Sequence, residues 1–228
     1  MSTKVLVPSG VLGLGFSEKA LESGLKRNPD IIGIDGGSTD SGPFYLGTGT
    51  TKYSEEICKK EWRVLMQARH RLNIPLMIGS CGTCGTNSMV DWMFQLTLEI
   101  AKDLGQDLKI VRVYCERERD ALLTAFRSNA LKPLNPILSI SEEEIGSFSN
   151  IVALAGAEVF QSAINQGADI VLVGRATDTA IISALPLLRQ ENKGASWHGA
   201  KIAECGAFCS TNPQSGVFFW RLIRMASR

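Results

Sequence analysis

Asp35 closes a short apolar run, Ile31-Ile32-Gly33-Ile34, and is followed by the polar turn Gly36-Gly37-Ser38-Thr39-Asp40-Ser41-Gly42. A carboxylate at the end of an apolar run must be solvated, paired or metal-bound. Asp35 and Asp40 are therefore candidates for moving a proton. A second turn of the same kind, Gly174-Arg175-Ala176-Thr177-Asp178, follows the apolar stretch 169–173. It adds a third acid, Asp178, and an arginine whose planar fork can grip a carboxylate or phosphate in two places. Between them in sequence lie Gly79-Ser80-Cys81-Gly82-Thr83-Cys84-Gly85 and Cys115-Glu116-Arg117, again small or polar groups after apolar runs. Asp35, Asp40 and Asp178 are expected to be catalytic. Gly36, Gly37, Ser38, Thr39, Ser80, Gly82, Thr83, Glu116, Arg117, Gly174, Arg175 and Thr177 are expected to hold the substrate, through backbone N–H groups, hydroxyls and the two arginines.

Blander readings stand beside each of these. Gly36 and Gly37 also suit an ordinary turn with positive φ. Asp40 suits a turn cap, and Asp178 and Glu116 suit the first turn of a helix, where the positive end of the dipole favours an acid. Cys81 and Cys84 form a C-x-x-C that with Cys205 and Cys209 would make four zinc ligands, but the pairs sit in distant segments and no metal site is assigned. A thioredoxin-like motif opens a helix directly, whereas here more loop intervenes. His70, between Arg69 and Arg71, reads as a surface residue, and His198 is a weak acid–base candidate. There is no G-x-S-x-G elbow and no Walker A sequence, which disfavours a serine hydrolase and an ordinary P-loop nucleotidase. The cofactor stays open.

These turns matter only if the chain brings them together. Apolar strand-like runs at 4–8, 30–35, 74–78, 109–114, 151–155 and 169–173 alternate with helix-like stretches at 17–26, 54–72, 88–104, 116–126, 157–166 and 177–188. That alternation predicts an α/β fold, a mainly parallel open sheet flanked by helices in Rossmann-like layers. Ser17 and Ser54 are expected caps, Ser88 with Asp91 an expected capping box, and Ser141 before Glu142, Glu143 and Glu144 another helix start. In the helix at 54–72, Ile57, Val64, Leu65, Ala68 and Leu72 should form the apolar side. Pro133 and Pro136 break the chain, residues 192–196 read as a polar loop, and the pattern weakens beyond. In such a sheet all parallel strands end at one edge, the usual place for ligands. A single domain over residues 1–228 is expected.

The bulk composition fits this reading. A 44% hydrophobic content can build a sizeable core, and 24 Lys and Arg against 23 Asp and Glu leave a formal charge of +1. Nothing in that balance favours a nucleic acid partner. The apolar stretch 169–188 is interrupted by Arg175 and Asp178, against a membrane span. The start carries no apolar run long enough for an export signal, so a cytoplasmic protein is expected. A homo-oligomer is compatible with the sequence.

Three segments, residues 32–43, residues 167–178 and Glu204-Cys205-Gly206-Ala207, resemble the acyclic terpene utilisation (AtuA-like) family. The resemblance implies a catabolic protein linked to breakdown of acyclic terpenes such as citronellol and geraniol, or of related carboxylic acids and acyl-CoAs. It supplies no catalytic residue. Family chains continue beyond Cys205-Gly206, so residues 220–228 read as an atypical tail and the chain as a truncated family member. Together these features predict a small-molecule enzyme of lyase, hydratase or isomerase type, its substrate a carboxylate or acyl-CoA. Two alternatives remain: a non-catalytic subunit that binds a metabolite or partner, and an ATPase of the sugar kinase, Hsp70 and actin type. The second rests on the similarity of residues 33–39 to that group's phosphate turn, which joins an antiparallel hairpin.

Overall fold

The computed structural model describes residues 2–135 and 139–223; Pro136 lies outside them, as do residues 224–228. Among the described residues six strands form one sheet in the order β4-β5-β3-β2-β1-β6. Five of them, β1 (Thr3–Val7), β2 (Ile31–Asp35), β3 (Leu76–Gly79), β4 (Ile110–Val113) and β5 (Ile170–Val173), run parallel. The last, β6 (Phe218–Leu222), pairs antiparallel with β1 at the edge. The mixed, mainly parallel α/β architecture is thus the one expected.

Alternation along each strand sorts its side chains between two cores. Leu6, Ile32, Ile34, Leu76, Ile78 and Leu172 face α1 (Glu18–Leu25), α3 (Glu55–Leu72) and α4 (Asn87–Leu104), meeting Leu21, Trp62, Leu65 and Met93. Val5, Val7, Ile31, Met77, Val171 and Val173 face α7 (Ala157–Asn165), α8 (Asp178–Leu188) and α9 (Lys193–Ala203), meeting Phe160, Ile181 and Ala200. Ile31, Gly33 and Asp35 share the second face by this period of two. Gly33 lies under Ile181 of α8, so Asp35 is delivered to the end of that face where α8 begins.

Caps fix where the helices start. Ser17 accepts from Ala20 N–H, Ser54 from Ile57 N–H, and Ser141 forms a capping box with Glu144 at the head of α6 (Glu142–Ser147). The box expected of Ser88 and Asp91 does not form. Thr86 is the cap of α4, its hydroxyl turns to Ser88 and Cys84, and Asp91 instead takes Arg112 and Tyr114. Ile57 is 46% exposed, its expected place in the core taken by Cys58 and Trp62. The helix after Glu116 is α5 (Arg119–Arg127).

Two further expectations are corrected. Residues 151–155 form no ladder strand; they cross the strand ends, bridging only Glu116 with Val152 and Ala155 with Ala176. The backbone N–H groups of Ala153 and Ala155 go instead to the Cys115 and Arg175 carbonyls, just past the ends of β4 and β5. Residues 192–196 are not a loop: Asn192 accepts from Ala195 N–H and starts α9, where a polar outer face hid the helical period. A short helix, α2 (Phe44–Thr48), directly after Pro43, carried no periodic signal in its five residues. No helix among the described residues is long and apolar enough to cross a membrane.

Candidate functional site

The chain moves outward through β1, β2, β3 and β4 with α1, α3 and α4 on one face, then returns to β5 with α7 and leaves it through α8 on the other. β3 and β5 are neighbours whose exits therefore diverge to opposite faces. That divergence opens the crevice where open α/β sheets bind ligands. The loop after β3 carries Ser80 to Thr86, the loop after β5 carries Arg175, and β2 delivers Asp35 one strand away.

Close backbone contacts lock these loops. Gly36 N–H donates to the Gly79 carbonyl at 2.7 Å, Thr83 N–H to the Gly36 carbonyl at 3.0 Å, Ser80 N–H to the Gly174 carbonyl at 2.7 Å, and Arg175 N–H to the Gly85 carbonyl at 3.0 Å. A Cβ on Gly36 would sit 2.4 Å from the Ser80 carbonyl oxygen, so only glycine allows that approach. Ser80 and Thr83 adopt positive φ of 51° and 70°. For β-branched Thr83 this is a strained conformation, and such strain persists only where the surroundings over-determine it, commonly at functional sites.

Arg175, 7% exposed, is held from below by two carbonyls: Nη1–H donates to Thr83 at 3.1 Å and Nη2–H to Gly37 at 2.9 Å. Its buried Nε has no partner among the described residues, and neither carboxylate oxygen of Asp35 has one. Asp35 is 4% exposed. Burial, then the nearby Asp178 charge, push its pKa well above the ordinary carboxylate value, while Arg175 pulls it back. The Gly37 N–H and Ser80 hydroxyl also oppose the rise, without reaching hydrogen-bond geometry. Asp178, first residue of α8, is raised by burial and then by Glu204, and lowered by Arg175; Asp40 adds a smaller upward push. Two carboxyls with raised affinity for a proton thus flank one buried guanidinium. Such a pair can divide the roles of acid and base.

Arg175 also reaches a cavity of about 290 Å³ on its other side, lined by Ser38, Thr83 and Cys84 and walled by Pro43, Tyr45 and Leu46. Asp35 and Asp178 do not line it. A larger hollow of about 690 Å³, between α1 and residues 210–219, contains none of the strand-end residues. It is an open groove.

The other expected residues spread around this centre. Asp40 is exposed in a short turn, its N–H donating to the Ser38 hydroxyl; the Thr39 side chain lies outside the described residues. Ser80 is buried against the Ala176 carbonyl. Thr177 caps α8 through Ala180 N–H, Gly174 packs on Gly85 and Cys115, and Gly82 packs on Met89 away from the cavity. Glu116 does not join the central group: its carboxylate accepts from Asn87 N–H at 2.7 Å, at the head of α4. Arg117 is exposed, its N–H on the Ile151 carbonyl. His70 and His198 are exposed on α3 and α9.

Residues that sequence reasoning did not expect in the site include the cavity wall Pro43, Tyr45 and Leu46, and Glu204, whose side chain is mostly buried beside Asp178 and paired with Lys201. Glu204 follows α9, and reading that helix as loop concealed where it would fall. The first-strand turn joins here too, since Gly10 abuts the Cys205 backbone. Cys81, Cys84 and Cys115 are buried and Cys205 and Cys209 exposed, all as free thiols. Burial pushes the Cys81 thiol pKa up, the reverse of what a nucleophilic thiolate needs. Among the described residues no group of three or more His, Cys, Asp or Glu is arranged to hold a metal ion.

β2 pairs in parallel with both neighbours, so the turn after Asp35 joins no hairpin of the kind the ATPase reading requires. The model of the family described as acyclic terpene utilisation family protein AtuA matches residues 51–216. Of the three resembling segments, 167–178 and 204–207 fall inside that match and 32–43 precedes it. No curated protein and no solved structure matches the chain significantly.

Proposed function

The chain belongs to the acyclic terpene utilisation family, by a match over more than half its length, and from that premise and the geometry we propose that it is a cytoplasmic catabolic enzyme acting on an organic carboxylate or its CoA thioester. The chemistry is lyase, hydratase or isomerase chemistry, in which a proton moves beside a carbonyl group. The observation that carries this reading is the meeting, at the β3–β5 divergence, of the unpartnered Asp35 carboxyl with the buried, partly unpartnered Arg175.

In the proposed reaction Arg175 and neighbouring backbone N–H groups hold the substrate's oxygen anion, in a place where water is excluded and such donors act strongly. Asp35 and Asp178 exchange a proton with the adjacent carbon or leaving oxygen. Burial, reinforced for Asp35 by the Asp178 charge and for Asp178 by the Glu204 charge, keeps a proton on these carboxyls to higher pH than on an isolated carboxyl, so that acid and base coexist. Asp40 and Ser38 close the solvent side of the turn.

Solvent-deuterium exchange tests this. The full chain, incubated in D₂O with organic acids and acyl-CoAs, should catalyse incorporation beside the carbonyl, and Asp35→Asn should slow it by about 10²- to 10⁴-fold, the usual worth of a positioned acid–base group. Absence of both binding and exchange across the acids and thioesters would remove the reading.

A further inference from the structure

We infer that the β1–β6 edge of the sheet carries a second site, which takes the phosphate monoester of a polar organic molecule on Lys4, Arg27 and Arg221. The antiparallel register sets Lys4 directly opposite Arg221 and Leu6 opposite Phe219. Side chains two apart on a strand share a face, so these four lie together on the side that α1 covers. From the end of α1 the Arg27 guanidinium lies over the Phe219 ring, 5.4 Å from its centre, and the Lys4 ammonium donates to the Arg27 carbonyl at 3.1 Å. Among the described residues, the three cations and Phe219 line a hollow of about 520 Å³ with no carboxylate in it.

Like charges directly opposite on antiparallel strands repel and weaken the pairing. None of the three cations is ion-paired among the described residues. Two acids of the same segments are committed elsewhere, Glu22 to Arg71, and Asp30 to Arg189 and the Lys4 backbone N–H. A dianion with several oxygens matches two guanidinium forks and an ammonium, and would turn the repulsion between Lys4 and Arg221 into a shared attraction. A single carboxylate would leave positive charge unbalanced there.

Arg27 and Phe219 also line the larger groove, of about 690 Å³, that runs along α1 to Ser17. Residues 17–27 rise by about 15 Å along the helix axis, far more than an inorganic anion fills. Ser23, Ser210, Asn212 and Gln214 give that groove hydroxyl and amide groups, which suit a hydroxyl-bearing organic part such as a sugar. Lys4 lies at the start of β1, whereas Asp35 closes the parallel β2, so this site sits at the other end of the sheet from the Asp35–Arg175 centre and is independent of it.

Calorimetric titration of the full chain at fixed ionic strength with ribose 5-phosphate, adenosine 5′-phosphate, inorganic phosphate and ribose tests this. The two esters should bind, inorganic phosphate more weakly, and ribose not at all. Arg221→Gln and, on the exposed end of α1, Arg27→Gln should each weaken the esters by about tenfold, the loss expected for one charge-assisted contact. Arg221→Glu should abolish binding with a Tm no lower than wild type, because a like-charge cross-strand pair becomes an opposite one. Ribose binding as tightly as its phosphate, or ester binding unchanged in both Arg221→Gln and Arg27→Gln as it would be at Arg175, would overturn the site. Inorganic phosphate binding as tightly as the esters would overturn the part given to the groove.

Discussion

Asp35→Asn replaces a buried carboxyl by an amide of nearly the same shape, and its effect on stability should depend on pH. In the native state burial and Asp178 raise the Asp35 pKa, whereas in the unfolded chain it titrates near the ordinary value of about 3.9. Between those two values the native state holds a proton the unfolded state has lost. Wild-type stability then falls as pH rises, at about 1.4 kcal/mol per pH unit for this one group, until the native pKa is passed. Below the unfolded pKa the native state bears no penalty from this group. The asparagine variant has no such slope. Its own costs are an amide left short of partners and the lost attraction of Arg175, so the net gain at pH 8 should be about 1–3 kcal/mol. For a chain of this length that is a rise in Tm of roughly 2–4 °C per kcal/mol. Urea unfolding of both proteins at pH 4.5 and pH 8, at fixed ionic strength, measures the difference. A variant less stable than wild type by the same amount at both pH values would refute the reasoning, since it would mean that the native carboxylate is fully satisfied.

Other perturbations follow from the same geometry. Gly85 has φ of 70° and a Cβ there would lie 2.4 Å from the Arg175 nitrogen, so Gly85→Ala should cost more than about 2 kcal/mol in urea unfolding and weaken carboxylate binding measured by calorimetry. Glu116→Ala removes the carboxylate that caps α4 at Asn87 and should lower stability by about 0.5–2 kcal/mol, read from the urea midpoint at constant slope. Arg69, 4% exposed, pairs with Asp169 at 2.6 Å and also holds the Ile74 carbonyl. Arg69→Met should cost about 3 kcal/mol, toward the lower end for breaking a buried pair because Asp169 is partly solvated.

Much of this arrangement was legible in the sequence because it rests on periodicity and strand ends. Parallel strands end at one edge, and that rule alone sets Asp35 and Asp178 at the same end of the sheet; the face Asp35 takes follows from the packing of Gly33 under Ile181 of α8. Ser17, Ser54 and Ser141 are caps whose side chains act within three residues, which a sequence displays directly. What the sequence hid depends on distant partners. Glu116 looks like a helix-start acid or a ligand, yet it caps a different helix, 29 residues back. Thr86, and not Ser88, heads α4, where the Asn87 N–H is taken by the distant Glu116 carboxylate. Leu46 and Tyr45 lie in a helix of five residues, too short for a period, and that helix is held by Asn150, 104 residues on from the Leu46 carbonyl it bonds. Glu204 reaches Asp178 through α9, whose polar outer face reads as loop.

The convergence of the strand-end loops on Arg175 is tested most directly by a crystal structure of the protein with hexanoate bound. The expected result is one ordered ligand with its carboxylate within hydrogen-bond reach of the Arg175 guanidinium. A ligand seated in the hollow along α1, or Arg175 unaltered and unliganded in crystals saturated with hexanoate, would contradict it.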